Sequence, residues 1–296
     1  MAEKEFWSRH VFVLMSSDTV YRDKHRDLVG RLRKEGFQPV AARAVRATPE
    51  TIDDLYSDLI AGQWRTWRYR LVDAALAIGP ALAVICRYSG DDPDPYALLT
   101  RRKGYQHPME AEPGTIRFDL GAVNSVLNLM HSSDDPAESE REAAVFGLTA
   151  ADVVADLDEA AVTVDYLADL IAPTTAEHRD FDATLASVRT KLLATRWHRL
   201  AAADQRAVRT AFPTTAKLAA PGAGDQLAEL LADYVPHDLM SAVRCDFTPE
   251  WLGRVTLSDA AEQLRRIGVV LDAWERLVLE TSLHFQPLRR NGSAVS

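Results

Sequence analysis

One stretch of this chain stands apart for its chemistry: Asn128-Leu129-Met130-His131-Ser132-Ser133-Asp134-Asp135-Pro136-Ala137-Glu138-Ser139-Glu140-Arg141-Glu142. It follows Pro113-Gly114-Thr115-Ile116-Arg117-Phe118-Asp119 by about ten residues. A second cluster, Trp64 and Trp67 amid Arg65, Arg68 and Arg70, reads equally well as an amphipathic helix with a solvated face or as the wall of an anion pocket. The remaining histidines, among them His10, His25, His107, His178, His198, His237 and His284, are scattered singly, and each reads as a surface or hydrogen-bonded residue. The chain lacks a Gly-x-x-x-x-Gly-Lys phosphate loop, a Gly-x-Gly-x-x-Gly turn and a Gly-x-Ser-x-Gly elbow. It has no Cys/His cluster at metal-ligand spacing, so no protein-held metal is expected.

These residues need a scaffold, and the first half alternates strand and helix signals. His10–Met15 is an apolar run that reads as a buried strand, and residues 23–35 form a helix that stops at Gly36. Residues 37–45 read as a second strand. Thr48 caps a helix with Pro49 at its first position. A further helix is expected over 66–78, a central strand over 81–87, a helix near 96–102, a turn and loop over 113–117, a last short strand over 127–130 and a helix over 135–146. This order predicts an α+β sandwich with helices on one face of a mostly antiparallel sheet. From Thr149 onward β-branched runs nearly vanish, and 151–171, 181–212, 226–234 and 258–285 carry helical spacing. Pro221-Gly222-Ala223-Gly224 reads as a linker, and Leu264, Ile267, Leu271, Trp274, Leu277 and Val278 as one long apolar stripe. The expected division is 1–148 and 149–296, with the second, all-helical domain docked on the first, since the join at Gly147-Leu148-Thr149 is short.

The paired motifs resemble those of nucleoside diphosphate kinases, whose sequences carry Pro-Gly-Thr-Ile-Arg-Gly-Asp and then Asn-x-x-His-Gly-Ser-Asp-Ser followed by Ala-x-x-Glu. The opening strand into Asp18-Thr19-Val20 is similar to the family's Lys-Pro-Asp-x-Val, and Lys34-Glu35-Gly36-Phe37 to its Lys-Gly-Phe. Tyr56 and the Gly79-Pro80 before a strand match too, so the resemblance covers roughly residues 8–147. It implies a ferredoxin-like α/β sandwich with an antiparallel sheet and ping-pong phosphoryl transfer through a phosphohistidine. His131 falls on the phosphorylated residue, and a neutral imidazole is both nucleophile and leaving group near pH 7. Glu142 falls on the acid that fixes the imidazole tautomer, Ser133 on the hydroxyl beside it and Tyr56 on a tyrosine that holds it from the other side. Arg117 falls on a phosphate-binding arginine and Asn128 on a contact to the sugar-phosphate end. Arg101 or Arg102 is expected as the second phosphate arginine, Arg65 or Arg68 as a further one, and Trp64 or Trp67 as the aromatic under the base. The nucleotide would carry Mg²⁺.

The sequence also departs from the family pattern. Ser16-Ser17-Asp18 stands where Lys-Pro-Asp is expected, Ser132 and Phe118 replace glycines, and Gln106-His107-Pro108 replaces Thr-Asn-Pro. The resemblance therefore implies an intact histidine apparatus beside an altered nucleotide cradle: a phosphotransferase taking its phosphoryl group from a nucleoside triphosphate and giving it to a nucleotide-like or specialised small-molecule acceptor. The alternative is a diverged nucleotide-binding or regulatory module. The net charge of −9, with neither half basic, argues against a nucleic-acid partner. No apolar run reaches the length of a membrane span, and no signal peptide is evident, so the expected location is cytoplasmic. Cys86 and Cys245 read as reduced core thiols, and a monomer or dimer is expected over a larger oligomer.

Overall fold

The computed structural model describes residues 3–57, 69–105, 110–173, 180–244 and 259–285. Its four strands are β1 (His10–Met15), β2 (Phe37–Val45), β3 (Ala81–Tyr88) and β4 (Met130–Ser132). They form one sheet in the order β2-β3-β1-β4, with every neighbouring pair antiparallel. Helices α1 (Glu3–Trp7), α2 (Ser17–Tyr21), α3 (His25–Lys34), α4 (Pro49–Leu55), α5 (Tyr69–Ala77), α6 (Pro95–Lys103), α7 (Ile116–Asp119) and α8 (Pro136–Val145) connect and cover it. This is the expected sandwich of ferredoxin-like strand order.

The helices cover both faces of the sheet, not one. Successive strand side chains point to opposite faces. Val11, Val13 and Met15 pack with Leu28, Val29 and Leu32 of α3 and Leu99 of α6, whereas Phe12 and Leu14 pack with Phe6, Ile52 and Ala143. That is why β1 and β3 read as continuous apolar runs, the mark of a strand buried on both sides. The edge strand β2 tolerates Pro39, where the pairing with β3 is bulged.

Local chemistry fixes the helix starts. Thr48, Asp94 and Asp135 each accept a hydrogen bond from a backbone amide of the turn they open, and each precedes a proline. The segment 113–117, expected as turn and loop, runs into the four-residue helix α7 from Ile116. The last strand lies later than the expected 127–130. Leu129 has a φ of 76°, which breaks the extended chain, so pairing with β1 starts only at Met130.

The chain divides into two compact units: Met1–Ala122 with Leu127–Glu177, and Val123–Val126 with His178–Ser296. The expected boundary at 148/149 falls inside the first unit. Helix α9 (Leu157–Ile171) contributes Val164 and Ala168 to the same core as β1 and α3. His25 Nε2 lies 2.9 Å from the Ala168 carbonyl, and Arg26 and Arg33 pair with Asp169 and Asp165.

The second unit is helical: α10 (Phe181–Arg196), α11 (Ala202–Ala211), α12 (Ala223–Leu230), α13 (Met240–Arg244), α14 (Asp259–Arg266) and α15 (Ala273–His284). The expected helix over 181–212 is broken at Trp197–Arg199, a 3₁₀ turn. The apolar stripe is interrupted: Leu264 lies in α14 and Trp274, Leu277 and Val278 in α15, while Ile267 and Leu271 fall between them, where Gly268 adopts a φ of 90° and Asp272 then caps α15 with Glu275. The expected linker at 221–224 instead leads directly into α12. A Cβ on Gly224 would meet the Arg244 carbonyl at 2.5 Å, so only glycine fits there. Buried Arg189 donates to the carbonyls of Val243, Leu218 and Arg244, closing chain ends that would otherwise lack donors. The loop residue Asn124 belongs to this unit through a 2.8 Å bond from its Nδ2 to Thr281 Oγ1. Cys86 is buried and reduced, while Cys245 lies outside the described residues.

Candidate active site

The site assembles on β4, at the edge of the sheet. Ser16 N donates to the Leu129 carbonyl and Ser133 N to the Phe12 carbonyl. In an antiparallel ladder this leaves the backbone groups of Met130 and Ser132 facing away from β1, toward the open edge. The His131 side chain is 24% exposed.

Behind His131 lies Glu142, carried by α8, the helix that Asp135 caps. Glu142 Oε2 accepts from His131 Nε2 at 2.7 Å and from Ser133 Oγ at 2.6 Å, while Arg141 stands 3.4 Å from Oε1. Burial opposes ionisation of Glu142, but these donors outweigh it and hold the carboxyl below its ordinary value. An ionised Glu142 accepts only, so Nε2 is the donor of this pair, and in the neutral form of the ring Nδ1 is the nitrogen that keeps a lone pair. The Tyr56 ring stands edge-on to the imidazole, with centroids 5.7 Å apart. Burial, then the charge of Glu142, pushes the Tyr56 phenol up to about 12, so it stays neutral.

Arg117 is 4% exposed and bonds three backbone carbonyls: Asn128 at 3.2 Å, Gly104 at 2.9 Å and Met130 at 2.9 Å. It thereby ties the end of α6, the loop at Asn128 and the start of β4 into one frame. Asn128 meets this frame through its backbone. Gly104 adopts a φ of 88°, which lets α6 end against Thr115.

Arg101 and Arg102, expected as candidates for the second phosphate arginine, turn outward to Asp92 and Glu35. The residue of α6 that turns inward is Lys103, which sequence reasoning missed. It is 7% exposed, and its Nζ donates to Ser132 Oγ at 2.7 Å. Burial, then the charge of Arg117, lowers its amine to about 8. The available signal was periodicity: Tyr96, Leu99 and Lys103 fall on one buried face of α6. Asp18, at the start of α2, is fully buried, and burial pushes its carboxyl up to about 6 against the pull of Arg22. Trp64, Arg65, Gln106 and His107 lie outside the described residues. Among the described residues no group of three His, Cys, Asp or Glu could hold a metal.

The arrangement offers a nucleophilic imidazole nitrogen, a carboxylate fixing its tautomer and two buried cations beside its strand. The family model for nucleoside diphosphate kinase matches residues 9–149. A nucleoside diphosphate kinase from Halalkalibacterium halodurans is 31% identical over 137 residues, covering 46% of this chain and 86% of that protein. One from Bacillus cereus is 34% identical over 137 residues, covering 46% of this chain and 85% of that protein. The solved structure of a halophilic nucleoside diphosphate kinase from Halobacterium salinarum in complex with CDP aligns with a TM-score of 0.44 at 26% identity, covering 53% of this chain and 98% of that one. Through its first half, this chain belongs to the nucleoside diphosphate kinase family.

Proposed function

We propose that this nucleoside diphosphate kinase-like phosphotransferase works in two half-reactions through His131, with a magnesium nucleoside triphosphate as donor. The observation that carries this is the Glu142 contact. With Nε2 protonated and held, Nδ1 is the nitrogen free to react. In the first half-reaction Nδ1 attacks the γ-phosphorus, the bond from that phosphorus to the bridging oxygen breaks, and the nucleoside diphosphate leaves with the electron pair. Ionised Glu142 stabilises the positive charge that develops on the ring. In the second, an acceptor oxygen attacks the same phosphorus, the P–N bond breaks, and the neutral imidazole returns. Such loose transfer needs positioning and charge neutralisation more than covalent help.

The acceptor belongs to this proposal too. With Ser16 in place of a lysine and Phe118 in place of a glycine, ordinary nucleoside diphosphates are poor acceptors, and a nucleotide-like or specialised small molecule is the preferred one. The same Ser16 favours the second reading, a binding module without turnover.

The experiment is incubation of the full chain with γ-labelled ATP and Mg²⁺, followed by a search for acid-labile, base-stable label. Label on Nδ1, lost in a folded His131→Ala variant, supports transfer. Undiminished transfer by His131→Ala refutes it. Nucleotide binding without any label selects the binding module.

A further inference from the structure

Among the described residues two buried cations stand at the open edge of β4. Arg117 lies along that edge on the Met130 carbonyl, and Lys103 reaches it at Ser132 Oγ. They are 4% and 7% exposed, and each sits where charge is unfavourable: burial lowers both, and Arg117 further lowers Lys103. Among the described residues neither has a carboxylate within ion-pair distance. Every hydrogen bond they make there goes to a neutral oxygen. Asp134, Glu142 and Glu138 pull on the Lys103 amine, and Tyr56, buried Asp18 and Asp134 on Arg117, only at longer range. Of these acids Glu142, which touches His131, is already engaged by His131 and Ser133.

Two like charges taken out of water are costly unless an opposite charge joins them. With no acid in ion-pair contact, a bound anion beside the strand that bears His131 would add the close opposite charge that the acids farther off do not supply. Ser132 matters for a second reason. It is 2% exposed and its hydroxyl fixes the end of a four-carbon stem that otherwise has many rotamers.

We infer that Lys103 is a phosphate-binding residue of this site: with Arg117 it presents buried positive charge to a bound phosphate, and Ser132 aims its amine. This rests on the reading of His131 as the phosphoryl carrier. The ligand class is a di- or triphosphate chain, whose terminal groups match two cations better than a single carboxylate does. An arriving phosphate favours the charged amine, so affinity falls as pH rises through about 8.

The test measures binding of ADP, and separately of inorganic pyrophosphate, by calorimetry on the full chain between pH 6.5 and 9.5. The proteins are the unmodified chain, Lys103→Met, Lys103→Arg and Ser132→Gly. At pH 7, Lys103→Met is expected to weaken both ligands by about ten- to hundredfold, the worth of one charge-assisted contact. The unmodified protein should lose affinity above pH 8, and Lys103→Arg should remove that loss because arginine stays charged. Ser132→Gly should weaken both ligands severalfold. Lys103→Met with unchanged affinity for both ligands overturns the inference. If that variant does not fold, the unmodified protein decides: affinity flat from pH 6.5 to 9.5 overturns the inference equally. Absence of label on unmodified protein counts against His131 as carrier, yet Lys103 is still judged by the two binding measurements.

Discussion

Replacing Lys103 by methionine keeps a stem of similar length and removes the charge, so it isolates what burial of that charge costs the folded state. The amine falls from 10.5 to about 8 on folding. At about 1.36 kcal/mol for each factor of ten in proton affinity, this amounts to about 3 kcal/mol at pH 7, where the amine is charged in both states. Against this, Ser132 Oγ loses its donor in a place 2% exposed, at a cost of about 1–2 kcal/mol. Lys103→Met should therefore be more stable than the unmodified protein by about 1–2 kcal/mol at pH 7. The pH dependence has a definite sign. Between about 8 and 10.5 the unfolded chain binds the proton that the folded one has lost, so the unmodified protein gains stability as pH rises through that window, and the variant does not. Because the chain has two units, a single global midpoint mixes their unfolding. Hydrogen exchange in urea, read on peptides from α6 and β4, follows the relevant region directly. A variant clearly less stable at pH 7, or an unmodified protein with no gain above pH 8, would refute the reasoning. A gain in stability paired with a loss in phosphate binding is the usual exchange at a strained functional position.

Glu142→Gln keeps the shape of the His131 contact but removes its charge, and should slow phosphohistidine formation by about ten- to hundredfold with the fold intact; rapid-quench labelling measures it, and an unchanged rate would show that the carboxylate is structural. Asp18, raised from 3.8 to about 6, holds its proton longer when folded, so stability falls as pH climbs through that window. Asp18→Asn should recover about 3 kcal/mol at pH 7 and nothing below pH 3.8, as read by urea unfolding at both pH values. His25 is held below 6.5 by burial, with Asp23, Arg26 and Asp169 around it, so the stability its neutral ring permits is lost as pH falls below 6.5. Amides of α9 should then exchange faster at pH 5 than at pH 7, after correction for intrinsic rates, and His25→Gln should erase the difference.

Strands β1, β2 and β3 were legible because each is a run of apolar residues bounded by turn chemistry, and burial on both faces needs no alternation. The sequence puts the last strand too early because Leu127, Leu129 and Met130 are all apolar; a leucine does not advertise a positive φ, yet the φ of Leu129 sets where pairing begins. Helix α9 was legible as a helix but not as part of the sheet's core, since an apolar face states that it needs a partner without saying which. The break at Trp197 carries no glycine or proline to announce it. At the site, His131, Ser133, Glu142 and Tyr56 were readable through motif and spacing, and the structure brings all four together. Lys103 was not. In Arg101-Arg102-Lys103 three cations are adjacent, and only the angular position on α6 decides that two meet surface carboxylates while the third goes inside.

The placement of Val123–Val126 in the second unit has a consequence for how the protein is made. Asn124 finds its partner Thr281 only after 157 further residues have been added. At about 5–20 residues per second, a ribosome needs roughly 8–30 seconds to reach that point. Throughout that interval the segment joining Arg117 to His131 has left the ribosome without the hydroxyl that its side chain bonds in the finished protein. The last strand of the sheet is complete at Ser132, whereas the hydroxyl partner of Asn124 is added only with α15, well over a hundred residues later.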